Sequence, residues 1–291
     1  MIGIEIQNLT VQYPGVTAID DLTLKLEGGK IYGLLGRNGS GKTTLLSLIA
    51  AFRRASTGSI LVDGREPFEN EELTQQICLV RETSDVVVDG DSVKGILRRA
   101  RRFRPNWDDE FAQRLLDLFQ LPSKRGVAKL SRGQKSALGI TIGLASRAPL
   151  TMLDEAYLGL DAPSRYAFYD VLLEDYIEHP RTIVLSTHLI EEVGRLFEQV
   201  VIIDRGRLVV HEDTESLRMR GAAVVGPATA VDDFTAGLTV LGEQRLGGTK
   251  SVTVYGEIGP DARAVAADWG LELSPVALQD LFVHLTKGNA A

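Results

Sequence analysis

The nine residues GRNGSGKTT, Gly36 to Thr44, restrict what this chain can fold into more than any other stretch of it. Gly36, Gly41, Lys42 and Thr43 satisfy G-x-x-x-x-G-K-[ST], a pattern that carries meaning only where a strand precedes it and a helix follows. Both flanks comply: IYGLL closes an apolar, strand-like run, and KTTLLSLIAAF reads as a helix. The glycines let backbone N–H groups turn inward around phosphate oxygens. Lys42 reaches the β- and γ-phosphates of a nucleotide, and the Thr43 hydroxyl suits a Mg²⁺ ion. Such a loop implies an α/β sheet whose carboxyl edge holds the ligand.

The rest of the chain supplies that sheet. IGIEIQNLTVQY alternates apolar and polar residues, and LTLKLEGGKIYGLLG adds two strand-like runs around Gly28 and Gly29. GSILVDGREP reads as a hairpin turning at Asp63-Gly64. From Ser92 to about Leu121 the period becomes helical, with Phe111, Leu115, Leu118 and Phe119 spaced for one face. LTMLDEA, SRYAFYDVLLEDYI, RTIVLSTH, LIEEVGRLF and QVVIIDRGRLVV then alternate between strand and helix, which implies a mainly parallel sheet covered by helices. Near Met219 the texture shifts to small residues, RGAAVVGPATAV, marking a boundary. Beyond it the order is strand, helix, strand, strand, helix, strand, with LQDLFVHLT closing. A small packing or interaction module is expected there.

Two strand ends add chemistry. LTMLDEA finishes on Asp154 and Glu155; at a strand end beside a phosphate loop, Asp154 can hold Mg²⁺ through water and Glu155 can orient an attacking water. The bland alternative is that both cap the following helix. His188, after RTIVLST, stands at the same sheet edge and can donate to a γ-phosphate. Tyr13 follows the first strand, and its ring can stack on a nucleobase. In LSRGQKSALGITIGL, Ser131 is placed to cap a helix whose first N–H groups form a second anion site.

Charge narrows the partners. The 291 residues carry a net charge of -7, so the surface as a whole repels nucleic acid and anionic lipid, and no nucleic-acid partner is expected. The one basic cluster, RRARRFR at Arg98 to Arg104, lies close to the acidic Asp108–Glu110 and reads as a solvated helix face. One cysteine, Cys78, leaves no internal disulfide and suits a reducing compartment. The start shows no secretory pattern, and no apolar run reaches the roughly 18 residues of a membrane span.

Taken in order, these stretches resemble the ATP-binding subunit of an ABC transporter over about Ile4 to Leu217. Tyr13 resembles the family's adenine-stacking aromatic. GRNGSGKTT resembles its Walker A loop, in which Asn38, Gly39, Ser40, Gly41, Lys42, Thr43 and Thr44 would contact ATP. LTMLDE resembles Walker B, LGLD ending at Asp161 the D-loop, and His188 the switch histidine. LSRGQ resembles the signature, carried by Ser131, Gly133 and Gln134. Two positions depart: Arg132 stands where the signature usually has glycine, and Glu82 in ICLVRE where a glutamine meets the metal. The resemblance implies a P-loop NTPase fold of ABC type, with a mainly parallel sheet, an antiparallel β subdomain and a helical insert, over 1–218 (insert about 92–145). A ferredoxin-like α+β module would fill 219–291. It also implies ATP hydrolysis with Mg²⁺, and catalytic roles for Glu155, His188 and Glu82. A second ATP-binding subunit, identical or different, would present its signature to the nucleotide. Separate integral membrane subunits, in an export-type system, would place the chain on the cytoplasmic face of the membrane. The competing expectation is a soluble ABC ATPase without membrane subunits.

Overall fold

The structure, a computed structural model, describes residues 1–81, 91–256 and 258–287. The chain opens with β1 (Ile4–Tyr13), β2 (Val16–Leu26), β3 (Ile31–Leu35), α1 (Lys42–Ile49), β4 (Thr57–Val62), α2 (Glu71–Gln75) and β5 (Ile77–Arg81). Three helices follow, α3 (Val93–Phe103), α4 (Asp109–Leu118) and α5 (Arg132–Ala145). Next come β6 (Leu150–Asp154), α6 (Ala162–Glu178), β7 (Thr182–Thr187), α7 (Ile190–Val193), β8 (Gln199–Asp204), β9 (Arg207–Asp213) and α8 (Thr214–Met219). The last stretch is β10 (Gly221–Pro227), α9 (Ala228–Thr235), β11 (Thr239–Leu246), β12 (Thr249–Tyr255), α10 (Pro260–Asp268), β13 (Glu272–Pro275) and α11 (Leu278–Lys287).

The large sheet runs β5-β6-β7-β3-β8-β9. Its first four strands are parallel, and their register brings Arg81 opposite Asp154, Asp154 opposite Ser186 and Leu35 opposite Thr187. Four chains therefore leave the sheet at one edge. Every residue of β3, β6 and β7 is buried, as expected of parallel strands covered on both faces. A second, antiparallel sheet, β2-β1-β4, packs its alternate residues Ile4, Ile6, Leu22 and Leu24 into a core shared with Leu45 and Leu46 of α1. Full burial of each such side chain contributes about 1.5–3 kcal/mol. After β4 the chain turns at Asp63 and Gly64, both at positive φ, which is the backbone a tight hairpin asks for. Cys78 is buried with its thiol free.

In α4 the buried residues are Phe111, Ala112, Leu115 and Leu116, while Leu118 is exposed and Phe119 is the C-cap. The apolar face thus ends before Leu118, because the last turn of α4 borders an open cleft instead of the core.

By compactness the chain divides into residues 1–188 with 201–210, and residues 189–200 with 211–291. The second unit contains the sheet β11-β12-β10-β13, antiparallel throughout, in β-α-β-β-α-β chain order. Its core is built from Val224, Val231, Val252, Val254 and Ala266. It reaches further back along the chain than the change of composition at Met219. The reason is that α11 packs on α7 and α8, whose Ile190, Val193 and Leu217 are buried.

Candidate functional site

The buried strand β3 delivers the chain to the sheet edge at Gly36, and only glycine fits there. A Cβ on Gly36 would lie 2.2 Å from Ser40 Oγ and 2.6 Å from the Ile203 carbonyl. Gly41 has φ +105°, and its Cβ would stand 2.5 Å from the Ala18 carbonyl. Gly41 is also the N-cap of α1 and offers no capping side chain, and no acidic residue sits in the first turn. The first N–H groups of α1 are therefore left for an anion from outside the helix.

Lys42 is buried at the start of α1. Its Nζ donates to the carbonyls of Gly36 (2.7 Å) and Arg37 (3.3 Å) and lies 3.8 Å from Glu155 Oε1. Burial pushes the Lys42 pKa down, while Glu155 and Asp154 pull it back up. Glu155 adopts a left-handed backbone, φ 52°, with its N–H donating to the Ser186 carbonyl at 3.2 Å. That turn aims its carboxylate along the sheet edge, where Oε1 sits 3.1 Å from His188 Nδ1. One carboxylate oxygen thus faces both the lysine of the loop and the histidine after β7. This arrangement holds a polarising carboxylate beside an anion site, which is what activation of a water next to a phosphate needs.

Asp154, the last residue of β6, is buried, and among the described residues its Oδ1 has no hydrogen-bond partner; the buried Ser40 Oγ has none there either. Orphaned oxygens of this kind, a carboxylate and a hydroxyl, fit a hydrated Mg²⁺ beside the phosphates. Among the described residues no group of three or more His, Cys, Asp or Glu forms a ready metal cage. That agrees with an ion that keeps several waters and takes its other oxygens from substrate phosphates. Asn38 and Gly39 are exposed on the loop, and in the first turn of α1 Thr43 is exposed and Thr44 half-buried. Glu82 lies outside the described residues.

Arg81 is a residue that the motifs do not reveal. It ends β5, in register with Asp154, and donates from Nη2 to Ser47 Oγ at 2.8 Å; that hydroxyl donates in turn to the Thr43 carbonyl at 2.5 Å. The guanidinium also lies 4.9 Å from the centre of the Phe52 ring. Arg81 therefore ties the strand end beside Glu82 to the first turn of α1. Its sequence signal is an arginine closing the apolar run ICLV.

Ser131, Gly133 and Gln134 form a separate place. Ser131 caps α5: its Oγ accepts from the Gln134 N–H (3.2 Å), and the Gln134 Oε1 accepts from the Ser131 N–H (3.1 Å). A Cβ on Gly133 would come within 3.0 Å of the Gly159 carbonyl, so the helix start packs close against the LGLD loop. Together they line a cleft of about 720 Å³ with Asp161, the N-cap of α6. Tyr13 packs half-buried on the antiparallel core, and the Arg53 guanidinium covers one ring face at 4.7 Å.

Comparison with known proteins bears on the family and the fold. Residues 19–158 match the ABC transporter family. The ABC transporter ATP-binding protein YtrB of Bacillus subtilis (strain 168) is 30% identical over 215 residues, 74% of this chain and 73% of that protein. The taurine import ATP-binding protein TauB of Escherichia coli (strain K12) is 33% identical over 215 residues, 70% of this chain and 80% of that protein. The Nod factor export ATP-binding protein I of Rhizobium leguminosarum bv. viciae is 29% identical over 213 residues, 72% of this chain and 68% of that protein. Among solved structures, an ATP-binding subunit of an ABC transporter superposes with TM-score 0.66 at 25% identity, covering 74% of this chain and 91% of that one. The dimeric ATP-binding cassette MJ0796 bound to ADP and Pi shares the fold, with TM-score 0.63 at 20% identity over 72% of this chain and 98% of that one.

Proposed function

Since this chain belongs to the ABC transporter ATP-binding proteins, we propose that it hydrolyses ATP as one of a pair of such subunits and drives transport through separate membrane subunits. The observation that carries the hydrolytic reading is the single carboxylate oxygen of Glu155 that faces both Lys42 and His188. Lys42 and the N–H groups of Gly39 to Thr44 bind the phosphates. Glu155 takes up the proton of the attacking water, and His188, hydrogen-bonded to that carboxylate, keeps it aimed. Thr43, Asp154 and, on sequence grounds, Glu82 would hold Mg²⁺, which supplies charge neutralisation at the phosphates. Tyr13 would stack on the adenine with the ring that the Arg53 guanidinium now shares.

The capped start of α5, with Ser131, Gly133 and Gln134, serves the nucleotide of the partner subunit, identical or different. Dimeric cassettes of the same fold support that pairing. Relatives are named as ATP-binding proteins of import and of export systems, which supports assigning the membrane path to other chains with this subunit on the cytoplasmic face; no helix among the described residues is long and apolar enough to cross a membrane. In chain order the ATP-binding domain spans 1–218, with its helical insert at about 92–145, and the accessory module 219–291. Relatives named for import and for export are about equally similar, so export, the direction expected from sequence, is tested by following substrate into or out of inverted vesicles. The decisive experiment on activity is Glu155→Gln. Retained ATP binding with lost hydrolysis is expected, and hydrolysis at the parent rate removes Glu155 from the mechanism. Capture of a multi-span membrane protein with this chain separates the transporter reading from a soluble ABC ATPase.

A further inference from the structure

The basic cluster of α3 does not behave as one group. Arg99 pairs with Asp91, Arg101 with Asp109 at 2.7 Å, and Arg104 donates to the Ile77 carbonyl at 2.7 Å. Lys94, Arg98 and Arg102 have no ion pair among the described residues and are exposed. They recur at i, i+4 and i+8, so they form one stripe, on the side of α3 opposite the buried Val93, Ile96 and Leu97. Backbone bonds from Val93 N to Arg125 O (3.0 Å) and from Lys94 N to Ser123 O (2.8 Å) hold a further exposed pair, Lys124 and Arg125, at the start of this helix.

The charge balance makes the stripe unusual. Residues 91–145 carry twelve Lys and Arg against five Asp and Glu, in a chain whose net charge is -7. We propose that this face docks on an anionic lipid surface, with Lys94, Arg98, Arg102, Lys124 and Arg125 meeting lipid phosphates. Charge complementarity carries the proposal: an exposed helix side whose cations have no acidic partner among the described residues matches a flat layer of phosphates. The choice of a membrane over an acidic protein rests on the reading of the chain as a subunit that works beside membrane components.

The test is cosedimentation of the full chain with vesicles of equal parts phosphatidylglycerol and phosphatidylcholine, beside vesicles of phosphatidylcholine alone. Binding is expected to the anionic vesicles only, and to fade as salt rises. Combining Lys94→Gln, Arg98→Gln and Arg102→Gln should weaken it about fivefold per charge, roughly a hundredfold in all. Basal ATP hydrolysis should stay unchanged, since none of the three belongs to the nucleotide site. Arg98→Lys with Arg102→Lys, which keeps the charge, should bind as the parent does. If the triple variant misfolds, Arg102→Gln alone still reads a fivefold loss. Three results overturn the proposal: no binding to anionic vesicles at low salt, equal binding to both vesicle types, or full binding by the glutamine variants. Loss of co-purification with a membrane subunit, without any vesicle binding, would assign the stripe to a protein partner instead. Because the vesicles contain no transporter subunit, vesicle binding by a chain that captures no membrane protein would sink the transporter reading and leave this one standing.

Discussion

At the scale of single residues the site rests on a carboxylate that faces a lysine and a histidine. Glu155→Gln removes the proton acceptor while keeping the shape, so turnover should fall about 10²-fold or more with ATP affinity nearly unchanged, read by hydrolysis and equilibrium binding side by side. Lys42 gives a prediction with a sign. Its burial lowers the pKa in the free protein, and bound phosphates would raise it, so ATP binding should take up a proton on the alkaline side. Affinity should then fall as pH rises, starting below the usual lysine range, and Lys42→Arg should flatten that dependence. Calorimetry in buffers of different ionisation enthalpy reads the uptake, and equal heats in all buffers would count against a titrating Lys42. Much of this was legible because each residue sits at a fixed offset from a strand end: Lys42 after β3, Asp154 and Glu155 after β6, His188 after β7. Arg81 was not, since its part depends on register across β5 and β6 and on the Ser47 hydroxyl one turn along α1. Neither is visible in the order of residues.

The elements explain why Ser131 is ambiguous. Its hydroxyl is spent on its own helix in a capping box, an arrangement that needs no ligand. Substitution separates cap from anion contact. Ser131→Asp caps as well as serine does, so thermal stability should hold within error, yet the added negative charge should repel a partner's phosphate and abolish ATP-driven dimerisation. Dimerisation that survives in Ser131→Asp, by light scattering with a hydrolysis-deficient background, would leave Ser131 as a cap alone. Close packing gives a second prediction for the same helix. A Cβ at Gly143 in α5 would stand 2.5 Å from Val80 Cγ2. Overpacking costs about 1–3 kcal/mol, against about 1 kcal/mol gained in helix propensity, so Gly143→Ala should be net destabilising by up to about 2 kcal/mol in a melting curve. The capping serine marked α5 as helix, but the order of residues does not show which glycine touches β5. The same limit applies to α4, where spacing selected Leu118 and the structure buries Leu116.

For the whole molecule, the second compact unit sets the outcome of shortening the chain. Removing everything after Arg220 deletes α11, which packs on α7 and α8, and so uncovers Ile190, Val193 and Leu217. The shortened chain should still bind ATP, because all the nucleotide motifs precede residue 220, but it should melt at a lower temperature. A folded truncate that fails to bind nucleotide would show that the module completes the site. The alternation of strands and helices along the chain was readable from its periods, whereas the extent of the second unit was not, because α7 and α8 carry no compositional mark and join it through packing against α11 and, for α8, β10. The sheet order also governs how the protein is made. The phosphate-loop strand β3 has β7 and β8 as its neighbours, and the first of these is synthesised about 150 residues later. At about 5–20 residues per second, IYGLL therefore waits roughly 10–30 s on the ribosome before either flank exists. Its five apolar-faced positions, all buried at the end, are for that interval a handle for chaperones, and synthesis rate becomes a determinant of yield.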